Sequence, residues 1–328
     1  MNLLKRIRTK GGIFLFFALV LSACGNNASP IEQKETTQEK QAETRIYKTE
    51  KGDITIPAHP QRVVVGVQDY VGDVLALGIK PVGAAGWVFD TPYYKGHLDG
   101  VVKVGDKQGV SMETIIGLKP DLILTYQEES YEQLSKIAST VFIPYGKSTY
   151  RDRLIEMGKI LNKEAEAKDW LTIFDKKIAE KKKELFQKVN PNEQVAIVEI
   201  SDKDIFIYGK TYGRGGDILY DELGLHAPAK VEADVFETGW AKVSLEAIPD
   251  YLTEADHIFL GVRNTSVGTT SDTGASKKRV VETTIWKNLP SVKSGHIYEY
   301  DVQSMYFKDA MALNNQLDQI VNNLMSKK

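Results

Sequence analysis

The sequence predicts an α/β protein built as two lobes joined by one long helix. Three observations lead there. Short apolar runs rich in β-branched residues alternate with helical segments in two separate series, the pattern of parallel sheets with helices on their faces. One long amphipathic stretch lies between the two series. The segment VSMETIIGLKPDLIL (110–124) of the first series is matched in order and type by VSLEAIPDYLTEADHIFL (243–260) of the second, so the lobes are expected to be related by approximate symmetry.

The N-terminus comes first. Lys5, Arg6, Arg8 and Lys10 precede the apolar run IFLFFALVL, and small residues follow up to Cys24. This is the pattern of a secretory signal over 1–23, too short and too one-sidedly flanked for a membrane span. Cys24 is the single cysteine of the chain, which excludes an intrachain disulfide. Behind Leu21-Ser22-Ala23 it matches a bacterial lipobox, in which the cysteine takes lipid, palmitate among its acyl chains, and becomes the new N-terminus. Acyl chains would hold a soluble domain at the outer face of the membrane. The polar stretch that follows, 24–44, has no aromatic residue and is expected to be a flexible tether. Removing 1–23 takes away four positive charges and no negative ones, so the formal charge of −2 becomes −6. An acidic chain of this kind is a poor partner for nucleic acid.

The first lobe is expected over 45–163. Its strands are RVVVG (62–66), PVGAAG (81–86), LILTY (122–126) and VFIPY (141–145), with helices at VGDVLALG, SMETIIGL and YEQLSKIA between them. The connecting helix is expected over 164–190, where Trp170, Phe174, Ile178, Leu185 and Val189 share one face and lysines and acids occupy the other. At 1.5 Å per residue it would run about 38 Å, enough to cross both lobes and restrict hinge motion. The second lobe, 191–328, begins with QVAIVEIS (194–201), continues through DIFIYG, GDILYDELG, SLEAIPDYL, HIFLGV and HIYEYD, and closes with a helix over roughly 309–325. Glu113 and Glu246 hold equivalent places in the repeated segment. With Ser111 and Ser244 as N-caps, both glutamates are expected in a first helical turn, where the helix dipole favours them.

IYGKTYGRGGDILY (207–220) resembles a phosphate-binding loop only at first sight. Gly209-Lys210-Thr211 comes before the expected helix start near Gly216, Asp204 stands where the first glycine of the motif is required, and GRGGD lacks the spacing of a dinucleotide fingerprint. The segment is not a nucleotide loop. What remains is a glycine-rich turn carrying Tyr212 and Arg214. Either Arg214 pairs with Asp217 or Asp221, or its guanidinium serves a ligand rich in oxygen. The five histidines, His59, His97, His226, His257 and His296, form no H-x-H or H-x-x-H pair, which argues against direct metal ligation. There is no G-x-S-x-G elbow, no H-E-x-x-H and no catalytic cysteine, so an enzyme is the weaker alternative.

The lipobox, the two α/β lobes, the single connecting helix and the paired glutamates together resemble the substrate-binding lipoproteins of ABC importers for iron–siderophores and vitamin B12. The ferric-hydroxamate-binding lipoproteins of Gram-positive bacteria are the group most similar, through IPAHPQRVVV, LGIKPVGAA, ETIIGLKPDLIL, YGRGGDILYDELGL and IWKNLPSVKSGHIY. The resemblance implies two Rossmann-like lobes of the class III periplasmic-binding-protein type, facing each other across a shallow cleft. It also implies an iron(III)–siderophore complex as ligand, a permease dimer as partner and a lipid-anchored monomer on the cell surface. No metal ligand of the protein's own and no cofactor beyond the lipid on Cys24 are expected. The matching segment of the hydroxamate-binding relatives places its aromatic on the siderophore and its arginine on the iron-bound oxygens, which assigns those roles to Tyr212 and Arg214. By position in the family, Trp87, Tyr126, Trp240 and Tyr306 also belong to the cleft, and Glu113 and Glu246 to the permease contact. Lys107, Lys147, Lys210 and Arg263 are further basic residues in loops near the cleft. Catecholate siderophores, haem and vitamin B12 are the alternative ligands.

Overall fold

The chain enters the fold through a hairpin that its polar alternation conceals. Strands β1 (Thr44–Thr49) and β2 (Gly52–Pro57) pair antiparallel, with exposed and half-buried positions alternating along β1. Ile56 reaches the first core, Ser139 Oγ donates to the Thr55 carbonyl at 2.8 Å, and Arg45 donates to the Ile160 carbonyl at 2.9 Å. In this computed structural model the described residues are 43–106, 109–202, 204–263 and 273–326. The signal segment, Cys24 and the tether up to residue 42 lie outside them, as does Lys107.

The first lobe is built on β3 (Val63–Val65), β4 (Gly83–Ala85), β5 (Val102–Asp106), β6 (Gly109–Val110), β7 (Leu122–Thr125) and β8 (Ser139–Phe142), in the order β6-β5-β4-β3-β7-β8. All neighbours are parallel except the short β5–β6 pair. β3 and β7 are fully buried, as continuous Val/Ile/Leu runs must be when helices cover both faces. The three strands that VVV, GAA and LILT announce are therefore the middle of the sheet. β5 and β6 come from segments with little β-branched content and carry its edge.

The connecting helix runs Glu164–Leu185, about 33 Å by its rise per residue. It stops before the expected end because Phe186 to Lys188 form a turn, although Val189 is still buried beyond it. Ala167 belongs to the core of the first lobe, and Phe174, Ile178 and Leu185 to that of the second. Trp170 and Leu171 pack against both.

The second lobe carries β9 (Val195–Ser201), β10 (Asp204–Tyr208), β11 (Trp240–Val243), β12 (His257–Arg263) and β13 (Ile297–Tyr300), ordered β11-β10-β9-β12-β13. β9, β12 and β13 are parallel, whereas β10 and β11 run antiparallel to their neighbours, so this sheet is mixed rather than parallel throughout. The residues of β9 are buried without exception. The architecture is thus two α/β lobes joined by one long helix, as the sequence predicts.

A second link joins the lobes. Asp73, in the helix Val71–Ala76, and Arg153, in the helix Tyr150–Leu161, form a buried ion pair at 2.7 Å. Arg153 also donates to the Lys308 carbonyl at 2.8 Å, and the Ala310 backbone N–H donates to Asp73 Oδ1 at 2.8 Å. Asp309 accepts from Tyr94 Oη and from the Ala312 backbone N–H, capping the last helix, Ala310–Ser326. Burial first and the neighbouring Asp73 charge second push the Asp309 carboxyl up to about 7.

A candidate ligand cleft between the lobes

The GRGG turn is shaped by close approach. Gly213, Arg214 and Gly215 have φ of 74°, 59° and 85°, and a left-handed backbone suits glycine because an L side chain crowds its own carbonyl there. A Cβ on Gly213 would lie 2.3 Å from the Tyr306 carbonyl oxygen. The Arg214 backbone N–H donates to the Met305 carbonyl at 2.6 Å, so the turn is fastened to the segment that bears Tyr306. Arg214 alone among these three carries a side chain, despite its unfavourable φ. Such strain is retained where the side chain has work that its position requires.

That side chain is buried, at 3% exposure, yet pairs with neither Asp217 nor Asp221. Its Nε donates to Glu199 Oε2 at 2.9 Å, and Glu199 Oε1 accepts from Arg263 Nε at 2.6 Å. The Arg214 guanidinium carbon lies 4.5 Å from the Tyr208 ring centroid and 4.3 Å from that of Tyr306, within cation–π range. Burial opposes its charge, but the Glu199 carboxylate, with Tyr208 and Tyr300 behind it, outweighs burial and holds its pKa above the ordinary value.

Aromatic rings extend from this centre in both directions. Trp87 meets Tyr306 edge-on at 5.3 Å. Tyr212 stacks with Tyr208 at 6.2 Å and lies 6.3 Å from Trp240, which in turn meets Phe206 at 5.6 Å. The structure thus brings Trp87, Tyr306, Arg214, Tyr212 and Trp240 into one continuous set of contacts. Tyr212 and Trp240 remain 41% and 40% exposed, large apolar faces open to solvent where a core residue would be covered. Trp240 reaches this place from the start of the edge strand β11, opposite Tyr208, not from a loop.

Tyr126 stands immediately after β7 on the other wall. Its ring contacts Tyr145 at 5.1 Å and Tyr70 at 5.5 Å, and its hydroxyl donates to Asp69 at 2.7 Å. It packs against the same core as Trp87 and Tyr306. Tyr145, 42% exposed, provides the open face of this wall. It follows a parallel strand, and ligands collect at the carboxyl ends of such strands; VFIPY carried the signal. Tyr145 and Tyr212 both line a groove of about 750 Å³ whose floor includes Asp217 and Lys308. Burial first, against the Lys308 charge, pushes the Asp217 carboxyl up to about 6, and burial pulls the Lys308 amine down. Of the further basic residues, Lys147 pairs with Glu50 and Lys210 with Asp221, while Arg263 reaches Glu199. Glu199 itself was signalled by an acid inside an otherwise apolar strand, which demands a buried partner.

Glu113 and Glu246 are exposed, but their settings differ. Ser111 caps the helix Met112–Leu118 by accepting from Thr114 N–H at 3.2 Å, placing Glu113 in its first turn. Ser244 caps no helix. Residues Leu245–Ala247 form a turn, and the helix begins at Ile248, because Pro249 suits a first helical turn and sets the start there. Glu246 therefore precedes its helix, and hydrogen bonds from its own backbone N–H and from Ser244 hold its carboxyl below the ordinary value. Among the described residues no helix is long and apolar enough to cross a membrane, and no group of three or more His, Cys, Asp and Glu is placed to hold a metal ion.

Comparison with known proteins agrees with this architecture. The iron(3+)-hydroxamate-binding protein FhuD of Bacillus subtilis (strain 168) is 39% identical over 317 residues, covering 94% of this chain and 96% of the relative. Among solved structures, a FhuD fold-family periplasmic binding protein component of a Fep/Fec-like ferrichrome ABC transporter from Bacillus subtilis superposes with a TM-score of 0.76 at 38% identity. It covers 85% of this chain and 99% of that one. FhuD2 from Staphylococcus aureus with bound ferrioxamine B gives 0.70 at 28% identity, covering 81% and 99%. The family model described as periplasmic binding protein matches residues 63–303, from the first strand of the first lobe to the helix that carries Tyr306. The chain belongs to the periplasmic binding protein family.

Proposed function

We propose that this protein is the ligand-capturing component of an ABC importer and takes a ferric siderophore of the hydroxamate type into the groove between its lobes. The observation that carries the reading is Arg214, fixed between two tyrosine rings by a buried carboxylate, with the ring of Tyr212 beside it. That ring, open to solvent, is in contact with Trp240 and lines the groove with Tyr145. A guanidinium suits oxygens that share negative charge, and flat rings suit the organic shell around a wrapped iron. Trp87, Tyr126 and Tyr306 complete the proposed site. The names of the relatives, iron(3+)-hydroxamate-binding among them, support the same ligand class. The iron arrives as cargo inside its chelator, and the protein's role is binding rather than catalysis.

Tryptophan fluorescence tests the reading. The chain has four tryptophans, of which Trp87 and Trp240 line the proposed site, so a bound iron chromophore quenches their emission. Ferrichrome or ferrioxamine B is expected to quench at submicromolar concentration, and cobalamin and haem to leave the signal unchanged. Tight binding of cobalamin or haem with no response to either hydroxamate overturns the ligand class.

Delivery follows from the same reading. Exposed Glu113 and Glu246, one on each lobe, are the proposed contacts for basic residues of the permease dimer. Glu113→Lys with Glu246→Lys is expected to leave ligand affinity unchanged in the purified monomer and to abolish uptake by cells, since like charges then face each other. Lipid on Cys24 is the proposed anchor at the outer face of the cell membrane; relatives named as lipoproteins support it. Cys24→Ala is expected to move the protein out of the membrane fraction, and persistence there would remove the anchor proposal.

A further inference from the structure

Two arginines share one carboxylate behind the rings of Tyr208 and Tyr306. Glu199 lies in the middle of the buried strand β9 with no exposed surface, and each of its oxygens accepts from a different guanidinium: Oε2 from Arg214 Nε at 2.9 Å and Oε1 from Arg263 Nε at 2.6 Å. Its neighbour across the ladder is Gly261, and the ring of Tyr300 fills the space that a side chain there would take. The carboxylate is therefore hemmed in and cannot turn away from the arginines. Three charges are fixed together, two positive and one negative, leaving one surplus positive charge.

Among the described residues around the groove, the other cations are set against acids. Lys147 pairs with Glu50, Lys210 with Asp221, and Arg151 with Asp175 and Glu222. Lys308 is set against Asp217. Among the described ion pairs here, the Arg214–Glu199–Arg263 group is the one with a cation in surplus. Asp69, across the cleft, accepts from Tyr126, and the exposed part of the group is Arg263, whose side chain is 26% accessible.

We infer that Glu199 is a positioning and specificity-determining residue: it holds Arg214 and Arg263 as a pair with one net positive charge and thereby selects against ferric complexes that carry several negative charges. The inference rests on the siderophore reading and sharpens it. The core of an iron(III) tris-hydroxamate is neutral, because three monoanionic groups balance the metal, and ferrichrome adds no further charge. A tris-catecholate complex carries three negative charges, and one surplus positive charge does not repay their desolvation. Glu199 touches no ligand in this scheme; it acts through the two arginines.

The test compares ligands rather than variants alone. Wild type, Glu199→Gln and Arg263→Gln are titrated with ferrichrome and with the ferric complex of a tris-catecholate, at low and at high salt. Glu199→Gln leaves two uncompensated guanidinium groups, so the affinity ratio is expected to move toward the tris-catecholate by about tenfold or more, with a steeper loss at high salt. Arg263→Gln leaves one arginine on one carboxylate, so the ratio is expected to move the other way by about tenfold. A residue needed only for folding would lower both affinities together. Where Glu199→Gln does not fold, the opposite shift in Arg263→Gln carries the test. Ratios that stay at the wild-type value in the folded variants overturn the inference and leave the siderophore reading standing. A wild-type protein that binds no tris-hydroxamate overturns that reading and this inference with it.

Discussion

Two buried arginine–carboxylate pairs, alike in burial and length, are wired to opposite ends. Arg153–Asp73 is 4% and 0% exposed and Arg214–Glu199 is 3% and 0% exposed, at 2.7 and 2.9 Å. The first directs its remaining hydrogen bonds inward: Arg153 to the Lys308 carbonyl, Asp73 from the Ala310 amide. The second directs them outward, through Glu199 to the part-exposed Arg263 and through the guanidinium to the cleft tyrosines. Burial says only that a charge must be paired. Where the second hydrogen bond goes says whether the pair fastens two lobes or presents a cation to a ligand.

The sharpest way to break the contrast is to remove one partner of the inner pair. Asp73→Ala strands Arg153 in the core and also frees the Ala310 amide, so unfolding in urea is expected to show a loss of about 3–5 kcal/mol. Arg214→Ala is expected to cost less stability, because Glu199 keeps Arg263. Near-equal losses for both variants would erase the distinction.

The next effect is on pH. The Asp309 carboxyl is raised from 3.8 to about 7, so between those values the folded protein keeps a proton that the unfolded chain has released. Stability is therefore expected to fall as pH rises through this window, by about 4 kcal/mol from this group. Asp309→Asn is expected to reduce the dependence, chiefly between about pH 6 and 8, because Asp217, raised to about 6, contributes in the same sense below that. Urea titrations at about pH 4, 6 and 8 would read the difference. A wild-type curve that rises over the same window would contradict the burial argument.

Smaller changes belong to the outer pair. Arg214→Ala is expected to weaken ferrichrome binding by about 1.5–3 kcal/mol, the range for hydrogen bonds to charged groups. Tyr212→Ala is expected to weaken it by about 0.5–1.5 kcal/mol, the worth of an aromatic contact beyond its area, with stability unchanged because its ring is exposed. Fluorescence titration measures both.

The sequence carried this contrast unevenly. VVV, LILT and VAIVEIS announced the central strands, because a strand covered on both faces must be apolar throughout. TRIYKT and GDITIP did not announce the first hairpin, since a half-covered strand alternates and reads as polar. Trp240 lay hidden as a strand residue because β11 is a short edge strand whose partner, Tyr208, lies far back in the chain. Tyr212 and Arg214 were legible as a pair because their loop carries three glycines within five residues, Gly213, Gly215 and Gly216. The partner of Arg214 was not: Asp217 and Asp221 are near in sequence, but the turn points the side chain back at β9. Glu246 was placed one turn too deep for a related reason, since matching letters in 110–124 and 243–260 do not fix where a proline lets the helix begin.

The first core contains Phe307, Ala310 and Ala312 from near the end of the chain. A chain made from its N-terminus generally folds domain by domain in order of emergence, but here the first lobe lacks part of its interior until the final helix has been made. Its sheet can form early; its last packing, and the Arg153–Asp73 ion pair with its bonds to residues 308 and 310, must wait. The order of completion therefore runs opposite to the order of synthesis, and a chain truncated before Phe307 leaves its earliest-made lobe unfinished.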